Sequence, residues 1–108
     1  MYLGDFPAGN TVFGYFNTRD TSAAPITLAG TPAIRVYRDD GTTEDDSGLT
    51  LNVDFDARTG FHCFEVDTST DGTFYAVAHD FAVVITSGTV DSVSVVGNVV
   101  GRFSLRNR

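Results

Sequence analysis

Apolar and polar positions alternate along this chain in runs of about four to eight residues, each ending in a cluster of Gly, Asp, Ser or Pro. A period of two is the spacing of strands, because successive side chains point to opposite faces. From Thr11 to Thr18, Val12 and Phe16 share one face and Phe13 and Tyr15 the other. Arg19–Pro25 is a polar connection, and Ile26–Leu28 reads as a short edge strand. Ala33–Arg38 follows, with Ile34 and Val36 pointing inward. Asp39-Asp40-Gly41 then turns the chain into a brief return at Thr42–Glu44, a strong hairpin signal. After Asp45–Gly48 comes the cleanest alternation: Leu49, Leu51, Val53 and Phe55 inward, Thr50, Asn52 and Asp54 outward. Asp56–Gly60 closes a hairpin into Phe61–Val66, where Phe64 and Val66 take the core side.

Beyond the polar loop Asp67–Gly72, the runs Phe74–Ala78, Phe81–Thr86, Val93–Val96 and Val99–Leu105 complete the pattern. Ser87-Gly88 separates the second and third of these. About eight or nine strands at spacings of roughly 8–12 residues predict an all-β, single-domain antiparallel β-sandwich, although a closed barrel would alternate in the same way. The reading divides into an irregular N-terminal arm at 1–10, a sandwich domain at 11–105 and a basic C-terminal tail at 106–108. The late valine runs do not alternate, which predicts strands covered on both faces, one cover being a neighbouring subunit.

Composition narrows the partners. The 108 residues include nine Phe and four Tyr, enough for one core, and a single cysteine, Cys63, which excludes an internal disulfide. Fourteen acids against seven arginines and no lysine give a net charge of −7. That balance argues against nucleic acid and against an anionic membrane surface. The opening Met1–Asp5 has neither the basic nor the apolar region of a secretory signal. The expectation is a chain made in a cytoplasm and soluble there. Arg102, Arg106 and Arg108 sit in the last seven residues, a basic end on an acidic body. With the arm residues Tyr2, Leu3 and Phe6, they are the candidate contacts to neighbouring molecules.

Candidate chemistry is thin. His62 and Cys63 are adjacent in a strand and point to opposite faces, and no oxyanion turn surrounds either. Cys63 reads as structural, and His62 and His79 as polar-loop histidines. Asp67-x-Ser69-x-Asp71-Gly72 matches the opening of an EF-hand loop, but its twelfth position is Ala78 rather than Glu. Asp39, Asp40, Asp45 and Asp46 are the weak candidates for a cation, and are more simply solvated turns. Asp54 and Asp56, two apart, share the outer face without the pocket that glycosidase carboxylates need. Tyr2, Tyr15, Tyr37 and Tyr75 are scattered and predict no sugar-stacking platform. The residues specify no catalytic group, no metal site and no cofactor.

Several segments carry a resemblance: Gly30–Tyr37 (GTPAIRVY), Leu49–Asp56 (LTLNVDFD), Thr59–His62, Val66–Ser69, Phe74–Ala76 and Asp80–Gly101 (DFAVVITSGTVDSVSVVGNVVG). With Gly4–Phe6 and Gly9–Val12 they cover nearly the whole chain. In these patterns the chain resembles small all-β structural proteins of tailed bacteriophages. It is more loosely similar to the immunoglobulin-like domain at the start of phage baseplate upper proteins. The resemblance implies an immunoglobulin-like sandwich and a non-enzymatic virion component, an accessory module of the tail, baseplate or head–tail neck. Its partners would be other virion proteins and copies of itself. Two rival readings are a capsid decoration protein on the head surface and an immunoglobulin-like module that binds a host glycan, with or without Ca²⁺.

Overall fold

A computed structural model describes all residues, 1–108, and is all-β with two packed sheets. The strands are β1 (Tyr2–Phe6), β2 (Thr11–Asn17), β3 (Ala29–Arg38), β4 (Glu44–Asp45), β5 (Leu49–Asn52), β6 (Phe61–Asp67), β7 (His79–Val90), β8 (Val93–Ser94) and β9 (Val99–Leu105). The larger sheet runs β1-β9-β7-β3-β4, with β8 paired to β7, and the smaller runs β2-β6-β5. Alternation decides which side chains meet between them. Val12, Phe64 and Val66 of the small sheet face Ile34, Val36, Val83 and Phe103 of the large one in one buried cluster.

Where β2 crosses β9, two glycines allow a close approach. A Cβ at Gly14 or Gly101 would stand 2.8 Å from Phe64 Cζ and within 3.2 Å of Leu3. Phe64 and Leu3 therefore fill the space that side chains at these positions would take.

The structure departs from the sequence pattern at several places. Tyr2–Phe6 is no irregular arm: it pairs with β9, and in parallel, so the fold is not wholly antiparallel. A register slip between Tyr2 and Asp5, with Gly4 at φ 132°, hides its alternation. Ile26–Leu28 is not a strand, although Leu28 is buried; β3 starts at Ala29, where left-handed Gly30 and Thr31 accompany a slip against β7. Phe74–Ala78 is a turn, because Asp71 Oδ1 accepts the N–H groups of Thr73 and Phe74 at 3.1 Å each. This drops Tyr75 into the core.

Ser87-Gly88 does not end a strand either; β7 continues to Val90 and turns at Asp91-Ser92, both with positive φ. That geometry suits a two-residue hairpin, and Val90 pairs with Val93. Only Val93–Ser94 of the expected Val93–Val96 run is strand. Val93, Val96 and Val99 are exposed on the single chain.

Phe55 also breaks its expected inward placement. Asp54 adopts a left-handed conformation (φ 52°), as do Asp56 (57°) and Ala57 (56°), so the strand ends at Asn52 and the Phe55 ring emerges on the outer side. Asp is among the few residues that tolerate this region.

Candidate functional site

The groups with reactive chemistry are all committed to structural contacts. His62 lies on the inner side of β6 and is fully buried, not in a polar loop. Its Nδ1 accepts the backbone N–H of Asp54 at 3.1 Å, and its Nε2 is 2.8 Å from Thr18 Oγ1. Burial holds its pKa below the ordinary histidine value, against a smaller opposing pull from Asp54. Cys63 is 6 % exposed, and burial, then Glu65, pushes its thiol pKa up, which makes it a poor nucleophile. His79 is elsewhere, with Nδ1 2.6 Å from Asp39 Oδ2. No nucleophile–base pair forms among them.

Several carboxylates likewise serve turns. Asp39 Oδ1 accepts Asp80 N–H at 3.0 Å; this contact, then His79, holds its pKa below the ordinary range. Asp45 accepts the Ser47 hydroxyl at 2.8 Å, while Asp40 and Asp46 do not join it in a cluster. Asp67 accepts Ser69 N–H and hydroxyl, and Asp71 caps Thr73 and Phe74, so the EF-hand-like loop has spent its oxygens on itself. No three acidic, His or Cys side chains gather as a cation site would require. Asp54 does not share an open face with Asp56. It accepts Thr27 Oγ1–H at 2.7 Å and Gly60 N–H at 2.8 Å, whereas Asp56 lies 3.9 Å from Arg58.

The six candidate contact residues divide. Leu3 and Phe6 are half-buried and pack on the core. The Tyr2 hydroxyl bonds Ser104 Oγ at 2.7 Å, and Ser104 donates to Asp5 at 2.6 Å. Arg108 lies over the Tyr2 ring at 5.6 Å and reaches Asp80 at 3.2 Å. Arg102 and Arg106 are exposed and make no ion pair. Tyr2, Arg102 and Arg108 meet Asp39 and Asp80 around a shallow hollow of about 150 Å³, whose charges are mixed.

The most prominent exposed apolar feature is on the small sheet. Phe13 (57 % exposed), Tyr15 (45 %) and Phe55 (39 %) gather on its outer face with Phe61. The Tyr15 and Phe61 rings stack at 5.5 Å and 18°, a pairing between diagonal cross-strand neighbours. Phe13 meets Tyr15 edge-on at 6.2 Å, and Phe55 meets Phe61 at 5.8 Å. Tyr15 also borders a groove of about 540 Å³ between the end of β2 and the stretch of β7–β9 that overhangs it. Phe16, Val90, Val95, Val99 and Val100 are among the groove's apolar walls.

The spacing of the four tyrosines does not mark this face. The available signal was β2, apolar on both faces, and a Phe set between two aspartates. No protein-family model, curated protein or solved structure matches the chain or its fold.

Proposed function

We propose that the protein is a non-enzymatic structural component of a tailed-bacteriophage virion. It would be an accessory module of the tail, baseplate or head–tail neck, built on an immunoglobulin-like sandwich. The resemblance across nearly the whole chain supports the reading. The observation that carries it is the apolar surface running from Phe13 through Tyr15 to the Val99 groove wall, on a two-sheet body that needs no disulfide. Contiguous exposed aromatics and valines of this kind mark contact with other macromolecules, and aromatic residues are enriched where proteins meet. His62, Asp39, Asp54, Asp67 and Asp71 are held in turns and clamps, which fits a scaffold better than a reaction centre.

Quantitative mass spectrometry of purified particles from a phage encoding this chain tests the proposal. A count of about six to a few dozen copies supports a tail, baseplate or neck position, in line with symmetric rings. Hundreds of copies would move the protein to the head surface as a decoration protein. Absence from the particle would overturn the virion reading.

A further inference from the structure

We infer that the outer face of the small sheet β2-β6-β5 is a homodimer interface, closed by a second copy of this chain in antiparallel, face-to-face packing. The inference goes beyond a virion role, since it concerns what this face binds wherever the protein resides.

The starting point is Phe55. Continued alternation after Leu49 and Leu51 would send it inward. Instead, left-handed Asp54 and Asp56 bring it out beside Tyr15 and Phe61. Asp tolerates this region, and surrounding contacts hold Asp54 in it. Here the Asp54 carboxylate is held by Thr27 and Gly60, and its N–H by His62. The molecule thus clamps a bulky apolar ring at its surface.

Charge then selects the occupant and its orientation. Glu65 stands between Phe13 and Thr50 at one end of the face, with no ion-pair partner. Arg58 lies beyond Phe61 at the other end, paired only loosely with Asp56 at 3.9 Å, with both side chains about three-quarters exposed (75 % and 77 %). A two-fold axis parallel to the strands would set Glu65 against Glu65. An axis across the strands, through the Tyr15–Phe61 stack, reverses the ends and brings Glu65 of each copy to Arg58 of the other. It also sets the stacked rings of one copy on those of its partner, in the self-complementary manner of a two-fold interface.

Size sets the strength. Two seven-residue strands of about 23 Å and the four-residue β5 of about 13 Å, at about 4.8 Å spacing, give a footprint of roughly 280 Å² in projection. This is below the ~800 Å² per partner of a standard interface, so the dimer should be weak and concentration-dependent.

The test is sedimentation equilibrium of the full chain from about 1 μM to 1 mM, with far-UV circular dichroism to confirm folding. The expected result is a monomer–dimer equilibrium weakened at least about tenfold by Phe55→Asp. Arg58→Glu and Glu65→Arg should each weaken it, and the double reversal should restore it. Three results would overturn the inference: a monomer throughout the range, a dimer indifferent to Phe55→Asp and Phe13→Ser, or charge reversals that fail to compensate. A monomer that binds a glycan array through Tyr15 would also overturn it, and would assign the face to a saccharide.

Discussion

His62 accepts the backbone N–H of Asp54 through Nδ1 at 3.1 Å, and this bond fixes both residues. The Thr18 hydroxyl donates to Ile26 O, so the proton between Thr18 and His62 belongs to Nε2. The ring is therefore neutral, with both nitrogens satisfied. A proton added at Nδ1 would confront the Asp54 N–H, donor against donor. The loop that carries Phe55 outward thus hangs on an uncharged histidine.

Acid should loosen that clamp. The folded-state pKa of His62 is depressed below 6.5, so its stabilising contribution is complete above 6.5 and is lost as pH falls through the folded-state value. Between the two, stability should fall with pH, by no more than the one-proton limit of about 1.4 kcal/mol per pH unit. Urea unfolding at about pH 7.5 and pH 5.5 measures this, and His62→Gln, which keeps an acceptor but does not titrate, should flatten the slope. Asp5, Asp39, Asp54 and Asp67 have pKa values held below 3.8 by hydrogen bonds, so their contributions disappear only as pH falls below that value. Two separate acid limbs are expected.

Asp54→Ala should cost about 2–3 kcal/mol in urea unfolding, since it removes the acceptor of Thr27 and Gly60 and leaves a Cβ in left-handed backbone. Asp54→Gly loses the same hydrogen bonds but relieves the backbone. It should be less destabilising than the alanine variant by about 1 kcal/mol. Equal losses would show that the backbone at position 54 is unstrained.

Gly14→Ala and Gly101→Ala should each destabilise by about 1–3 kcal/mol, because the new methyl meets buried Phe64 at 2.8 Å. Leu3→Ala should also destabilise, by about 2 kcal/mol, through the space it vacates between the same two glycines. Thermal unfolding of the three variants checks the arrangement. An unchanged Tm for Leu3→Ala would mean that β1 does not seal the core.

Tyr75→Phe should be neutral or stabilising by up to about 1 kcal/mol, an uncommon outcome for a buried tyrosine. Its hydroxyl is buried and makes no hydrogen bond of normal geometry, though Asp45 stands close enough that, after burial, it pushes the pKa up. The ring, packed on Phe74 and Phe81, would stay in place. A loss above about 1 kcal/mol in denaturant unfolding would show that the hydroxyl is satisfied in solution.

Alternation made most of the core legible. Val12, Ile34, Val36, Phe64 and Val66 are inward as their spacing requires. The structure departs from that spacing where local polar chemistry outweighs period two. Asp71 curls Phe74–Ala78 into a turn despite its aromatic and β-branched content, and Asp54 reverses Phe55. β1 was hidden for a different reason: its neighbour is remote, and a bulge disrupts its pattern. The aromatic face was half visible, since Phe13 and Tyr15 alternate outward on β2. Phe61 and Phe55 join them only through strand pairing and loop conformation, which no local window contains.

The parallel pairing of β1 with β9 has a consequence for biogenesis. Tyr2 bonds Ser104 across a separation of 102 residues, and Asp5 accepts Asn107 N–H across the same span. Such remote contacts form late and slowly, because the intervening chain must be closed first. On the ribosome, β2, β5 and β6 can pair once Asp67 has emerged, while β1 has nowhere to go. Until β9 arrives, Leu3 cannot seal the crossing and Phe64 stays open to solvent. The nascent polypeptide therefore passes through a stage at which its adhesive interior is uncovered, and escape from premature clumping depends on how quickly translation delivers that strand.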